Sequence, residues 1–544
     1  MGSRAVEGAL PQGTLLPFSR FDVVFIVSSS AAFIALNLHD IRYWLYAWIG
    51  DEWQFFDAAR VIARGNPVDM LSQNGVDFIF PVVNSAYQSL FMHVVGINVV
   101  GWRLSSIISA AFPVTVLYWL GKQFGGVPFA IAASGFYLSC DLLWAFAHIG
   151  YNNNDALLAM VPAAALFYAA MQSNRLSLMF AAGAACGAGW YTIYTARLMI
   201  GILGLILLID LFRSPRATIQ RIIFLVGGFL MVALPLLLDS GWDVLRTMSH
   251  NTPGDLGDNP YSLLLPRNIV RALYEFFYNT STNHYITGAI FTQIAAAALA
   301  IGIAISLRGL GTTAVRLMLL WFVVTLLLTT PLNDAAGVSF TRSMIIVPPA
   351  SLLAALGLCS VARALQRISP RVVSAAIFPL VIASTLSGAA ALDGYRFFVT
   401  MPRLMYANDL SMVIGVLTAH PDTTAVLAGQ MANSSICIVL DGYGITDARV
   451  LRFNHGALAR LCGDSAGPIH AGRDPVLILV NASDRTTLAP CGARLIRLLQ
   501  APNPLSAIYG LRVQASPDPV ATYLTRAAAA ARQACPLVAG LPAN

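Results

Sequence analysis

Charged residues are scarce in this chain of 544 residues: they make up 11% of it, whereas hydrophobic residues make up 57%. Soluble globular proteins carry roughly 25% charged and about 45–50% apolar residues. The scarcity of charge therefore excludes a cytosolic enzyme, a disordered chain and a nucleic-acid-binding protein. Together with a mean hydropathy of +0.68, it indicates a polytopic membrane protein. Lysine occurs once, at Lys122, and every other base is arginine.

Several familiar motifs are also missing. The sequence has no glycine-rich phosphate loop, serine-hydrolase elbow or nucleotide-binding fingerprint, so nucleotide-dependent chemistry is not indicated. It also lacks HxxxH and CxxC spacings, which are typical of metal sites. We therefore expect no required metal or other cofactor from the residue pattern.

Long apolar runs fill the chain from about residue 21 to residue 391. A membrane-spanning helix needs about 20 apolar residues. The segment 82–96 is too short and too polar for a span, and we predict an interfacial or re-entrant helix there. On this basis we predict about eleven spans, at 21–38, 103–121, 127–147, 155–171, 177–191, 195–212, 222–238, 287–307, 317–330, 343–362 and 372–391.

Basic residues recur on one side of this map. With the N-terminus in the cytoplasm, every short loop predicted on the inner side carries an Arg or Lys. This regularity follows the positive-inside rule and favours an odd number of spans. The resulting topology gives a membrane domain at residues 1–392 and places the long loops 39–102 and 239–286 outside. The alternative is one miscounted span, which would leave the tail inside.

The tail, residues 393–544, has a different character. Short β-rich runs, at TTAVLAG, SSICIVL, ARVLRF, PVLILV and ARLIRLL, alternate with turn residues, and an Ala-rich helical stretch follows. We predict a small extracytoplasmic α/β domain. Outside the membrane its cysteines can oxidise, and we expect at least one disulfide among Cys437, Cys462, Cys491 and Cys535.

The remaining cysteines, Cys140, Cys186 and Cys359, fall in predicted spans, so we expect them to be packing residues.

Two adjacent carboxylates, Asp51 and Glu52, follow the first span at the predicted outer surface. Solvated loop residues are the ordinary alternative at such a place. The stretch FFDAARVIARGNP after them predicts an amphipathic helix in the membrane interface, which would hold the carboxylates where a lipid headgroup meets an aqueous acceptor. Its apolar side carries Phe55, Ala59, Ile62 and Ala63.

The stretch DEWQFFDAARVIARGNPVDM, with DLLWAFAHIGYNNNDALLAM and GAGWYTIYTARLMI further on, resembles the polyprenyl-phosphate-sugar-dependent glycosyltransferases. These include the protein O-mannosyltransferases and the ArnT-like lipid A aminoarabinose transferases. The order and spacing of these motifs resemble the family over most of residues 20–392. One departure is the uncharged Phe78-Ile79-Phe80-Pro81, where the aminoarabinose transferases have Phe-Glu-Lys-Pro. It argues against strict aminoarabinose transfer and leaves the sugar open.

The resemblance implies a GT-C fold and an inverting displacement at the anomeric carbon. Asp51 would be the catalytic carboxylate that accepts or orients the proton of the nucleophile, and Glu52 would assist in binding acceptor or sugar. Asp155 would be the second acidic residue of the site. Its alternative role is to cap the fourth span, which Asp does well.

The leaving phosphate of such a donor needs cations or hydrogen-bond donors at the outer interface. Arg recognises phosphate through bidentate hydrogen bonds, but Arg at a span end also snorkels to headgroups. A boundary histidine held by hydrogen bonds is the alternative for His148. The candidates for the phosphate are Arg197, Arg342, Arg103 and His148, and those for the sugar or acceptor are Tyr191, Tyr194, Asn154 and His284.

The implied partners are a polyprenyl-phosphate-linked sugar, membrane lipid, and a glycan, lipid or protein acceptor. Some members of the family bind a metal near the acidic pair, so a divalent metal stays an alternative to none. The implied location is a bacterial inner membrane, with the tail periplasmic. Two other functions compete: a flippase or transporter for a polyprenyl-linked glycan, and a non-catalytic membrane scaffold. A transporter favours ionisable residues at mid-span, whereas here they gather at the outer ends of spans.

Overall fold

Apolar helices dominate the computed structural model of the chain. Residues 1–39, 69–88 and 103–401 form one compact unit, and residues 40–68, 89–102 and 402–544 form a second. Parts of the predicted outer loop 39–102 thus group with the tail. The structure describes residues 15–39, 41–42, 52–74, 80–240, 270, 273–274, 276–278, 288–329, 343–368, 371–401, 414, 417–418, 424–428, 436–445, 450–453, 476–480, 495–500 and 507–513.

The helices follow one another with short connections. Two of them, α3 and α4, contribute residues to both units. Short 3₁₀ turns at Tyr194–Arg197 and Met344–Ile346 lead into α10 and α14. The helices are α1 (Arg20–Leu38), α2 (Glu52–Ala63), α3 (Val83–Val95), α4 (Val99–Ala111), α5 (Pro113–Gly125), α6 (Val127–Ser139), α7 (Asp141–Ala147), α8 (Asn153–Ser173), α9 (Leu176–Gly189), α10 (Leu198–Leu211), α11 (Pro215–Ser240), α12 (Gln293–Ser306), α13 (Thr313–Thr329), α14 (Val347–Ile368), α15 (Arg371–Tyr395) and α16 (Ile436–Gly442).

Each of the predicted spans overlaps one helix or two consecutive helices. Among the described residues, seven helical segments are long and apolar enough to cross a membrane, and the bent pair α6–α7 makes eight. Shorter apolar helices, at Leu176–Gly189, Gln293–Ser306 and Thr313–Leu327, occupy the other predicted positions. The chain is therefore a multi-pass membrane protein, as its composition predicts.

Two spans that the sequence predicts as single helices are interrupted. The second is divided at Phe112, where Pro113 opens α5 because proline fits the first turn of a helix. The third is bent by 58° between α6 and α7. At this bend Cys140 adopts an extended conformation, which ends one helix and starts the next.

A buried ion pair fixes the start of α1 against α5. The Lys122 ammonium donates to the Asp22 carboxylate and to the Pro17 carbonyl oxygen, the latter at 2.7 Å. Asp22 also accepts a hydrogen bond of 2.6 Å from the Tyr118 hydroxyl, and it forms a capping box with Ser19. Such a pair is stabilising only when further hydrogen bonds satisfy its charges, as they do at this site. Lys122, one of the bases assigned to the inner side, is thus a structural residue.

Close backbone approach joins α12 to α14. A Cβ added to Gly302 would lie 1.8 Å from the Leu353 carbonyl oxygen, and one added to Gly357 would lie 1.9 Å from the Ala298 oxygen. Glycines at both positions let the two helices pack at backbone distance, as small residues do in membrane helix pairs.

The second unit contains a mixed five-stranded sheet, in the order β4-β3-β5-β7-β6. Strands β4, β3 and β5 are parallel, whereas β7 is antiparallel to both of its neighbours. This is the α/β domain that the tail composition predicts. The strands of this sheet are β3 (Thr424–Ala428), β4 (Val450–Phe453), β5 (Val476–Val480), β6 (Leu495–Gln500) and β7 (Ala507–Val513), after a small β1–β2 pair at Gln73–Asn74 and Phe80–Pro81.

One strand prediction in the tail is wrong. The run SSICIVL, predicted as a strand, forms the helix α16, and the strand β7 at Ala507–Val513 is not among the predicted runs. The packing of α16 explains the error: its last residue, Gly442, lies against Phe56 and Val99 of the same unit. Tertiary contacts of this kind override a weak β-propensity. The closing Ala-rich stretch lies outside the described residues.

The cysteines assigned to packing, Cys140, Cys186 and Cys359, are buried free thiols, as predicted. The side chains of the four tail cysteines lie outside the described part of the chain, so the disulfide stays a prediction.

Candidate functional site

Asp155 lies in the first turn of α8 and is buried in the first unit. Its carboxylate accepts hydrogen bonds from Ser109 Oγ at 2.5 Å, Asn84 Nδ2 at 2.8 Å and Gln88 Nε2 at 3.3 Å. Within the described residues, no Lys, Arg or His forms an ion pair with it. Three neutral donors therefore hold this carboxylate, and its remaining lone pairs can accept further hydrogen bonds.

The donors to Asp155 come from two helices near the predicted second span. Asn84 and Gln88 are four residues apart, so they lie on one face of α3. Ser109 lies on α4. The structure thus shows α3 as a helix whose polar face serves Asp155, a role that the sequence prediction of an interfacial helix missed. The polar pair at i and i+4 in an otherwise apolar segment is the signal that would have found it.

Tyr87 extends this hydrogen-bonded group by one member. Its hydroxyl lies 3.1 Å from Ser109 Oγ. Burial, and then the negative charge of Asp155, raise the pKa of Tyr87 well above its usual range. The phenol therefore keeps its proton at neutral pH and is a hydrogen-bond donor beside the carboxylate.

The run of asparagines before Asp155 ties the start of α8 to its neighbours. Asn152 Nδ2 donates to the Thr192 carbonyl oxygen at 3.2 Å, and Asn154 Nδ2 donates to the Ser106 carbonyl oxygen at 3.3 Å. The N-cap position belongs to Asn152, the first residue of the run, so the capping role expected of this run falls to Asn152, whereas Asp155 lies in the first turn of α8. Asn154 Oδ1 is buried and has no hydrogen-bond partner among the described residues.

Arg197 lies at the end of the 3₁₀ turn that opens α10, and only 2% of it is exposed. Its guanidinium lies over the Trp190 ring, 5.7 Å from the centroid, a distance at which a cation–π attraction is significant. A side chain so deeply buried does not snorkel to headgroups, so this alternative is not supported.

The two tyrosines proposed for the sugar or acceptor lie near Arg197. Tyr194 is buried in the same turn. The hydroxyl of Tyr191 donates to the Val232 carbonyl oxygen of α11 at 2.9 Å. Tyr191 therefore has a structural bond that would have to break before its hydroxyl could donate to a sugar.

His148 is the C-cap residue that follows α7, and it is buried, with both ring nitrogens facing backbone carbonyls. Nδ1 lies 2.9 Å from the Trp144 oxygen, and Nε2 lies 3.4 Å from the His39 oxygen. Burial lowers the pKa of His148 to about 4, and the positive charge of Arg103 adds to this shift. His148 is thus the hydrogen-bonded boundary histidine of the sequence analysis, and it is neutral at pH 7. Arg103, also buried, is in the same region of the first unit.

A second group of charged residues in the first unit was not anticipated from the sequence. Arg396 forms ion pairs with Asp141 at 3.1 Å and with Asp393 at 3.3 Å, and both carboxylates are buried. This group joins the start of α7 to the end of α15. The i, i+3 spacing of Asp393 and Arg396 was its only local signal.

In the second unit, Glu52 is the first residue of α2 and is fully buried. The helix is also buried at Phe56 and Ala59, and the Phe56 ring packs edge-on against Trp102 at 5.4 Å between centroids. The predicted amphipathic helix therefore packs against protein along much of its surface, and its place in the membrane interface stays a prediction. Three further candidates, Asp51, His284 and Arg342, lie outside the described residues.

Over the described parts of the chain, no three His, Cys, Asp or Glu side chains come together as metal ligands.

Comparison with known proteins places the fold in one class. The chain has the GT-C fold, which it shares with the solved structures that it resembles. The solved structures that it resembles include ArnT from Cupriavidus metallidurans bound to undecaprenyl phosphate, with a TM-score of 0.58 and 13% identity over 92% of this chain and 100% of that one. The apo state of ArnT gives a TM-score of 0.51 and 13% identity over 91% and 99% of the two chains. No family model and no curated protein matches the sequence.

Proposed function

We propose that this protein is an inverting glycosyltransferase that moves a sugar from a polyprenyl-phosphate donor to an acceptor at the outer face of the membrane. One observation carries the proposal: a GT-C fold holds a buried carboxylate, Asp155, at the start of a membrane-spanning helix. A protein of this fold, ArnT, has been observed with undecaprenyl phosphate bound. A lipid-linked donor also suits a chain with no nucleotide-binding motif.

The reaction is a single displacement. An acceptor oxygen attacks the anomeric carbon, the bond from that carbon to the phosphate oxygen breaks, and the polyprenyl phosphate leaves. Asp51 takes the proton of the acceptor hydroxyl, and this general-base assistance is worth about 10²–10⁴-fold in rate. Glu52 binds acceptor or sugar. Asp155, oriented by its three donors, accepts a hydrogen bond from a sugar or acceptor hydroxyl.

The leaving phosphate gains negative charge as its bond to the sugar breaks. Arg197 and Arg342 are the proposed cations for this charge, with Arg103 as a further donor. His148 brings no charge to the phosphate, because its pKa lies near 4, and it would have to give up a contact with a backbone carbonyl before it could donate to the phosphate. Charge stabilisation at such a position is commonly worth about 10²–10³-fold.

The sugar and acceptor side of the site comprises Asn154, Tyr191, Tyr194 and His284. Asn154 supports this role through its buried Oδ1, which has no partner within the described residues and can accept from a hydroxyl. The acceptor is a glycan, a lipid or a protein hydroxyl. The proposed location is a bacterial inner membrane, with a cytoplasmic N-terminus and a periplasmic C-terminal domain.

We also propose that transfer needs no metal. Dialysis of the purified protein against EDTA should leave its activity unchanged. A loss of activity that Mg²⁺, Mn²⁺ or Zn²⁺ restores would overturn this part of the proposal.

Transfer assays with purified protein test the function directly. The protein in detergent is given radiolabelled polyprenyl-phosphate sugars and an envelope extract, and the labelled product is separated from the donor. We expect wild-type protein to consume one donor and Asp51→Asn, which keeps size but removes the base, to be inactive at a normal protein level.

Donor consumption by wild type and by Asp51→Asn at equal rates would exclude Asp51 as the base. A flippase would instead move the intact lipid-linked sugar across the proteoliposome membrane without cleaving the sugar–phosphate bond.

A further inference from the structure

Within the second unit, three consecutive residues of the C-terminal chain contact either the helix that carries Glu52 or the chain before it. Asp441 lies at the end of α16, and one of its oxygens, Oδ2, accepts from Arg60 Nη1 at 2.5 Å and from Arg64 Nη2 at 2.7 Å. Arg60 is buried and also pairs with Asp57 at 2.7 Å. The end of α2 is thereby held by a charge-assisted contact of the strong kind.

Tyr443 binds the chain on the other side of the Asp51–Glu52 pair. Its hydroxyl donates to the Arg42 carbonyl oxygen at 2.8 Å, and Arg42 Nη2 donates back to the Tyr443 carbonyl oxygen at 3.3 Å. The Arg42 guanidinium also lies 5.9 Å from the centre of the Tyr443 ring. Two reciprocal hydrogen bonds and a ring contact thus fix this point of the chain.

Gly442, between these two residues, contacts the middle of α2. A Cβ there would lie 3.0 Å from Phe56 Cζ and 2.9 Å from Val99 Cγ2, so only glycine allows the approach without displacement. The turn after α16 is closed by a hydrogen bond of 2.9 Å from Ile445 N to the Leu440 carbonyl oxygen. Asp441, Gly442 and Tyr443 are therefore held in a fixed turn, which we name the 441–443 clamp.

We propose that the 441–443 clamp positions the Asp51–Glu52 pair for transfer, so that Asp441 and Tyr443 are positioning residues. The clamp binds the chain at residue 42 and again at residues 60–64, and the carboxylate pair lies between these points in sequence. This inference rests on the proposed function in one respect, the catalytic use of Asp51. It gives the C-terminal domain a role in the chemical step, in addition to any role in acceptor choice.

The test uses full-length protein carrying Asp441→Asn and Tyr443→Phe, singly and together. Asp441→Asn removes the charge that two arginines share, and Tyr443→Phe removes one hydroxyl. Asp69→Asn and Tyr395→Phe are matched controls, since both residues are exposed and neither belongs to the clamp. Asp441→Glu keeps the negative charge, so this variant should behave largely like wild-type protein.

Two readouts are measured on each variant. The first is hydrogen exchange of peptides covering residues 43–56, with peptides from α8 as the internal reference. We expect the double variant to exchange at least about tenfold faster over 43–56, while α8 is unchanged. The second is transfer kinetics, in which kcat should fall by about 10–100-fold and the donor KM by less than about threefold, because misplacement of a catalytic group affects the chemical step.

The readouts separate the inference from the proposed function. Unchanged exchange over 43–56 in the double variant overturns the inference, as does an unchanged kcat in an active enzyme. If wild-type protein transfers no sugar, the proposed function fails, and the exchange experiment still decides whether the clamp fixes the segment. A variant that exchanges faster in α8 as well has lost its fold, and the milder variants then decide. Faster exchange over 43–56 in Tyr443→Phe than in Asp441→Glu, with α8 unchanged in both, supports the inference, and equal exchange in the two variants overturns it.

Discussion

Ser109 donates a hydrogen bond of 2.5 Å to the Asp155 carboxylate and thereby joins α4 to the first turn of α8. The bond lies in a buried region, where an unsatisfied acceptor costs about 1–3 kcal/mol. Ser109 also lies within hydrogen-bond distance of Tyr87. One small hydroxyl therefore couples a proposed site carboxylate to a protonated phenol.

Asp155→Asn should reduce transfer by about 10²-fold or more, taking the loss of one preorganised polar group as the guide. Ser109→Ala should have a smaller effect, about tenfold, because Asn84 and Gln88 still hold the carboxylate. Steady-state kinetics give both values. Thermal unfolding in detergent is the control, since Asn at 155 also faces amide donors that it cannot fully satisfy. Equal activity of Asp155→Asn and wild type would remove Asp155 from the site.

Arg197→Gln should lower kcat by about 10²-fold or more, because it removes a cation that is proposed to stabilise the leaving phosphate. Arg197→Lys keeps the charge but loses the planar group over Trp190, so it should retain partial activity. Trp190→Leu is the control for the ring contact and should affect kcat less than Arg197→Gln. If Trp190→Leu and Arg197→Gln lower kcat equally, Arg197 has a packing role only.

Acid should destabilise the protein through His148. Its folded pKa of about 4 lies below the value of roughly 6.5 for an unfolded histidine, so between these pH values the unfolded state binds the extra proton. The contribution of the neutral imidazole is fully present above about pH 6.5. It is lost as the pH falls toward 4, by up to about 3 kcal/mol.

Thermal unfolding of wild type and His148→Gln at pH 7 and pH 5 measures this effect. Gln can still donate to the Trp144 carbonyl but does not titrate, so the variant should lose less stability on acidification. The same drop in Tm for both proteins would show that His148 is not responsible.

Gly302→Ala should destabilise the first unit by about 2 kcal/mol or more, since overpacking costs about 1–3 kcal/mol and the new Cβ meets a backbone oxygen, which cannot rotate away. Gly201→Ala on α10 is the matched control, because nothing lies within 4 Å of its Cβ position. In that helix alanine should be neutral or stabilising by about 0.5–1 kcal/mol. Thermal unfolding of the two variants gives the comparison, and equal Tm values would contradict the close helix contact.

The helical part of the fold was largely predictable from the sequence. A chain that crosses the membrane as a single segment must be helical to satisfy its backbone hydrogen bonds, so each long apolar run predicts a helix. The breaks within the second and third predicted spans were harder to predict. Pro113 offered a local signal, whereas the bend at Cys140 has no Pro or Gly beside it in the chain. In the tail, the helix at SSICIVL depends on contacts with Phe56 and Val99, more than 300 residues earlier, which no local propensity reports.

The charged residues of the candidate site could be identified from the sequence, whereas the residues that contact them could not. Asp155 was identified from its motif, yet the hydrogen bonds to Asn84 and Ser109 span 71 and 46 residues of sequence. Polar neutral residues in an apolar chain give no indication of which carboxylate they bind. Arg197 was expected to reach phosphate, and its stacking on Trp190 became visible only in three dimensions.

The ion pair between Lys122 and Asp22 has a practical consequence for chemical labelling. Lys122 is the only lysine, and its amine is largely enclosed and bound to two oxygens. Succinimidyl esters and other reagents that acylate lysine will therefore leave the folded side chains almost untouched, and any such cross-link found to Lys122 signals that the junction of α1 and α5 has opened. Arginine-directed reagents and engineered cysteines are the suitable probes for mapping which side of the membrane each loop occupies.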